Sequence, residues 1–230
     1  MMRNYVLECY LTKATKNSEG VTNWEELDKK TNGLSAVYTF IGLFLNDQIY
    51  AYMVELQDEF KKKNKYRHTI KYLFNKMKSE MKQYNQKMFR ITDGIEEYYA
   101  DVTIDMEEHI KPSIENYKNI VKEVIEDNGV DKEKSNIIAQ LVTINVLCQA
   151  TRVTINQFQE RIVHTYGLVN NPVKILDMKR IEKYSDSLTN IIAGKIRINF
   201  SECEKVREAF DNFTNTLLDT DSWSKLIVEE

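Results

Sequence analysis

From Ser135 to Gln159 the chain carries a single charge, Arg152, although 29% of its residues are charged. Ile137, Ile138, Leu141, Ile144, Leu147 and Val153 recur around this run without leaving a polar face. A helix apolar on nearly every side is stable in water only when other helices cover it. This segment therefore predicts a helix shielded by others, of its own core or of a neighbour. It also carries Asn136, Gln140, Asn145, Gln149 and Asn156, mostly three to five residues apart. Buried amides need hydrogen-bond partners. Gln140, Gln149, Arg152 and Asn156 are read as a stripe that offers contacts to a neighbour.

The rest of the chain supplies the covering helices. Seven Gly and two Pro in 230 residues leave few turns, which favours long helices over sheets. Leu34, Val37, Ile41, Leu45, Ile49, Tyr52, Leu56 and Phe60 predict a first helix over about 34–62. Ile70, Leu73, Met77, Met81 and Met88 follow a spacing of 4 and 3 and predict a second over about 65–91. A third is expected from Gly94 to about Asp127, with Pro112 inside it as a kink. Asn128-Gly129 ends it, and Asp131 caps a fourth helix reaching about Tyr166.

These patterns predict an all-α fold: an up-down bundle of four long helices over 23–168 and a smaller helical C-terminal segment over 169–230. An extended N-terminal arm over 1–22 precedes them. Asn170-Asn171-Pro172 marks the boundary. In the C-terminal segment Ser201 and Glu204 read as a capping box for a helix bearing Val206, Phe210, Phe213 and Leu217. Lys195 to Phe200 alternates polar and apolar, as a short strand or connector does.

Charge is distributed unevenly. Residues 61–90 hold 11 basic side chains and one acid, Glu80, whereas residues 91–133 hold 13 acids and 4 bases. The whole chain is only −3. Two opposite surfaces are therefore expected. The basic face comprises Lys62, Lys63, Arg67, Lys71, Lys78 and Lys82. The acidic face comprises Glu97, Asp101, Asp105 and Glu108. If the second and third helices are antiparallel neighbours, these charges cancel within a hairpin, and each exposed pair contributes about 0–1 kcal/mol. If they lie on different sides, the basic face of one copy fits the acidic face of another, and head-to-tail contact closes into a ring or continues as a filament.

Catalytic and metal chemistry find little support. Asp105 with His109 and Glu160 with His164 share helix faces at spacing four, but each reads as a solvated surface pair. Cys9, Cys148 and Cys203 are widely spaced and form no CxxC, so neither a disulfide framework nor a zinc site is expected. No Gly-rich phosphate motif occurs. The expectation is a non-enzymatic structural or scaffolding subunit, a homo-oligomer without cofactor or metal. Its concrete instance, by class analogy, is an adaptor or connector ring of a phage virion. The alternative is a nucleic-acid or acidic-partner binding module using the basic helix 61–90. No signal peptide is read at the N-terminus. The most apolar stretch, Leu34–Leu45, is too short to span a bilayer. A cytoplasmic protein or component of an assembled particle, without membrane contact, is expected.

Overall fold

The computed structural model describes residues 34–62, 67–92, 100–157, 176–194 and 199–219. All regular structure among them is helical: α1 (Leu34–Lys62), α2 (His68–Thr92), α3 (Ala100–Asp127), α4 (Lys132–Gln157), α5 (Leu176–Ala193) and α6 (Glu204–Leu218). A 3-10 turn at Phe200–Glu202 leads into α6. The expected arm over 1–22, the end of the fourth helix beyond residue 157 and the boundary at residues 170–172 lie outside the described residues.

α4 occupies the centre. It packs against α5, α1 and α3, and its side chains at Ile137, Ile138, Leu141, Ile144, Leu147 and Cys148 are almost wholly removed from water. The segment Lys132–Thr154 is long and apolar enough to cross a membrane, and 78% of its most apolar window is buried inside the protein. Helix–helix packing thus covers the apolar girdle that its composition requires covering. Ser185 of α5 is fully buried and donates to the carbonyl of Leu141 at 2.6 Å. A small side chain there lets the two helices approach closely.

The remaining contacts differ from a simple hairpin series. α2 packs chiefly on α5, touches α1 lightly, and does not pack on α3 among the described residues. Phe74 meets Phe60 edge-on at 5.1 Å, and Lys78 donates to Gln57 at 2.5 Å. These two links run the pair α1/α2 antiparallel. α3 lies against α4 and α1, and α6 lies on α3. Tyr117 of α3 meets Phe210 edge-on at 6.4 Å. Among the described residues the α2 side of the expected α2–α3 hairpin is taken by α5. Phe74, Met77 and Met81 are buried on a helix that packs chiefly on α5, with Phe74 against Phe60 of α1.

Local chemistry explains the best-defined turn. Gly129 adopts φ +82°, and its N–H donates to the carbonyl of Glu126 at 2.8 Å. The N–H of Val130 reaches the carbonyl of Ile125 at 3.4 Å, and both of these side chains are buried. This is a Schellman closure with its hydrophobic contact. Asp131 then caps α4: its Oδ1 accepts from the N–H of Lys134 at 3.0 Å. α3 continues through Pro112, whose ring is exposed, so the missing backbone donor lies on the solvent side. The capping box does not form. The 3-10 turn incorporates Ser201, and α6 begins one residue after Cys203, whose backbone carbonyl accepts from Val206 and Arg207. Of the proposed strand, residues 195–198 lie outside the described set, and Phe200 is helical.

The two glycines placed differently in this frame should respond in opposite directions. Gly129→Ala forces a β-carbon onto a left-handed residue and should lower stability by about 1 kcal/mol. Gly42 lies inside α1 with nothing within 4 Å of a built β-carbon. Gly42→Ala should therefore raise stability by about 0.5–1 kcal/mol. Thermal denaturation followed by circular dichroism reads both signs.

Candidate interaction surface

The outward side of α2 is the most strongly charged surface among the described residues. Its buried side is a single line through Phe74, Met77 and Met81, flanked by half-buried Ile70, Leu73 and Glu80. At 100° per residue this leaves most of the circumference to solvent. Arg67, Lys71, Lys78 and Lys82 recur at helical spacing along one exposed flank, with Asn75 between them. Lys76 stands on the other flank, 5.7 Å above the ring of Tyr72, which is itself 60% exposed. Glu80, the one acid of this helix, is engaged by Arg180 of α5 at 3.3 Å. Arg67, Lys71 and Lys82 form no ion pair among the described residues. Lys62 is exposed at the end of α1 and pairs with Glu59 at 3.2 Å, while Lys63 lies outside the described residues.

The acidic face is less fully described. Glu97 lies outside the described residues, as do the side chains of Asp101 and Asp105. Glu108 is exposed on α3, beside exposed Glu107. Since α3 packs on α4, α1 and α6, described acids of α3 do not neutralise the described cations of α2.

The amide stripe of α4 has a different role from a surface contact. Gln140 is buried and donates to Glu55 of α1 at 2.7 Å. Asn145 donates to Asp186 of α5 at 2.6 Å, and Gln149 donates to Asn145 at 2.6 Å. Arg152 meets Glu182 of α5 at 2.8 Å, with 31% and 13% of the two side chains exposed. Gln140, Gln149 and Arg152 are therefore committed within the chain, and Asn156 is exposed. Periodicity located these residues, but the acceptors of Gln140, Asn145 and Arg152 on α1 and α5 are 30 or more positions away and left no local signal. Burial raises the Glu182 carboxyl above the usual carboxylate range, and Arg152 draws it partly back. Burial raises Asp186 likewise. On the opposite side of the core Tyr52 donates to Glu115 at 2.5 Å, and Lys118 pairs with the same carboxylate. Burial pushes Glu115 up, but Lys118 and Tyr52 more than offset it, leaving the carboxyl below its ordinary value.

Among the described residues no three His, Cys, Asp or Glu side chains converge as metal ligands do. His109 is exposed on α3, and Glu160 and His164 lie outside the described residues. Cys148 is buried, and burial pushes its thiol well above the usual range. That favours a packing role over nucleophilic chemistry. A cavity of about 670 Å³ lies between α4 and α5, bounded by Ile138, Val142, Asn145, Asp186, Thr189 and Phe200.

The chain matches no known family model, curated protein or solved structure in comparison. The class that the structure defines is thus an all-helical protein with a cationic, solvent-facing helix.

Removing Arg152 should expose the cost of its partly buried partner. Arg152→Leu should lower stability at pH 7 by about 1–3 kcal/mol, and Arg152→Leu with Glu182→Leu by less. Without its counter-ion the Glu182 carboxyl rises further. A raised carboxyl binds more protons in the folded state, so stability falls as pH rises through its range. The loss in Arg152→Leu should accordingly shrink as pH falls from 7 towards about 4.5. Urea unfolding at a series of pH values measures it.

Proposed function

We propose that this protein is a non-enzymatic structural subunit that assembles with other copies of itself through the basic face of α2 and an acidic counterface. The observation that carries this reading is the open cationic flank of α2: Arg67, Lys71 and Lys82 are exposed and without ion-pair partners among the described residues, because α5, not the acidic α3, covers the helix's apolar side. A row of unscreened like charges raises the free energy of the isolated subunit, and an acidic surface relieves it. The packing rigidity that a repeating subunit needs comes from α4, tied by polar contacts to α1 and α5. The concrete instance is an adaptor or connector ring in a phage particle, where Glu97, Asp101, Asp105 and Glu108 supply the counterface first read from the sequence.

A second reading has one observation in its favour. Tyr72 is exposed between Lys71 and Lys76, an arrangement that suits stacking on bases beside phosphate contacts. Lys62→Glu, Arg67→Glu and Lys71→Glu together should then abolish retention on single-stranded nucleic acid. Unchanged retention contradicts that reading.

For assembly, the solution mass decides. Light scattering after size exclusion at about 50 mM salt should give a multiple of the 27.1 kDa chain, falling towards the monomer at about 500 mM as exposed charges are screened. A 27.1 kDa particle at both salt concentrations contradicts self-assembly.

A further inference from the structure

The tight contact of α4 with α5 at Ser185 gives way, towards the C-terminal end of α5, to the cavity of about 670 Å³. Its inner wall is apolar. Ile138 and Val146 are almost wholly buried, and Val142, Ala193 and Phe200 are half-buried around them. Its rim is polar: Asp186 and Asn190, one turn apart on α5, are both exposed. A volume within about 300–1,000 Å³, an apolar wall and a few converging polar groups are the features of small-molecule sites.

The charge of the lining has one sign. Asp186 is its only charged side chain, and it forms no ion pair among the described residues. Arg152 of α4 is committed to Glu182 instead. The carboxylate is held from one side: Gln149 donates to Asn145, and Asn145 donates to Oδ1 of Asp186. Its Oδ2 accepts no hydrogen bond among the described residues. Burial raises this carboxyl, so its charged form is poorly compensated where it stands. A second negative pole is the end of α5. Gly194, at φ +67°, closes that helix with its N–H on the carbonyl of Asn190. The carbonyls of the last turn carry the negative end of the helix dipole to a cavity that Asn190, Ala193 and Gly194 line.

We propose that this cavity binds a small organic monocation, a primary amine on an apolar body, with the ammonium at Asp186 and the body against Ile138, Val142 and Phe200. The site shares no residue with the basic face of α2, so it stands apart from the self-assembly reading. The lining selects the ligand class by exclusion. An anion would meet a carboxylate and the carbonyl end of α5. A neutral apolar molecule would cover Asp186 without answering its charge, which costs free energy. A metal ion would find one carboxylate where such ions take several oxygen ligands. An ammonium carries N–H donors only, and Asp186, the Asn190 amide oxygen and the last-turn carbonyls are acceptors on the same rim.

Ligand-observed NMR and calorimetric titration of the full chain test this with probes of one shape and different charge: phenethylamine, 2-phenylethanol and phenylacetate. The wild type should bind the amine saturably, about tenfold tighter than the alcohol, and the acid not at all. Asp186→Asn keeps the shape of an exposed side chain and should reduce the amine to the affinity of the alcohol. Ala193→Phe, which fills the cavity, should weaken amine and alcohol alike with unchanged circular dichroism. Glu123→Gln removes an exposed acid of α3 and should change neither. The proposal is overturned if no probe binds, if amine and alcohol bind equally, or if Asp186→Asn leaves the amine affinity intact. It is overturned as well if the amine binds only after Lys195→Met with Arg197→Met, since a cation of the chain itself then answers Asp186.

Discussion

Everything in this fold depends on keeping water away from α4. Twenty-five residues with one charge cannot form a surface helix, so α1, α3 and α5 are arranged around it. At about 25 cal/mol per Å² of apolar area, its buried Ile and Leu side chains contribute a large share of the driving force. Several of its polar groups are answered as well: the Gln140 amide N–H by Glu55, Asn145 by Asp186, and one Arg152 guanidinium nitrogen by Glu182. Apolar packing sets which helices meet, and these contacts select how they are aligned. A helix displaced by one turn along α4 would leave amides and charges without partners, at about 1–3 kcal/mol for each buried group.

That same demand creates the surface. Since α5 is drawn to both α4 and α2, it occupies the side of α2 where α3 was expected. Arg67, Lys71 and Lys82 of α2 are left facing solvent, without an ion pair to the described acids of α3. The exposure of these cations follows from core packing and not from the charges themselves, which are too weak in water to position helices. The function proposed for this surface uses what the core leaves exposed on α2, Arg67, Lys71 and Lys82.

Much of this was legible in the residues. Helical spacing placed α1 within 34–62, and Asn128-Gly129-Asp131 announced a stop and a cap that both form. The charge-poor run announced its own burial. Contacts between distant segments were not legible. Nothing near Gln140 points to Glu55, and nothing in the stripe of α2 tells α5 from α3. The Ser201–Glu204 signature misled, because a 3-10 turn carried Ser201 past the cap position. The exposure of Tyr50 and Val54 on α1 was not legible in the helical spacing. Only the burial pattern separates Tyr50 and Val54 from their neighbours Ile49 and Met53.

Hydrogen exchange read by mass spectrometry, on dilute and concentrated protein at low salt, tests the central claim most directly. The account predicts that α4 is strongly protected at both concentrations. Peptides covering residues 67–82 should exchange more slowly only in the concentrated sample. Equal exchange of those peptides at the two concentrations, in a sample whose mass has increased, would contradict it and place the contact elsewhere.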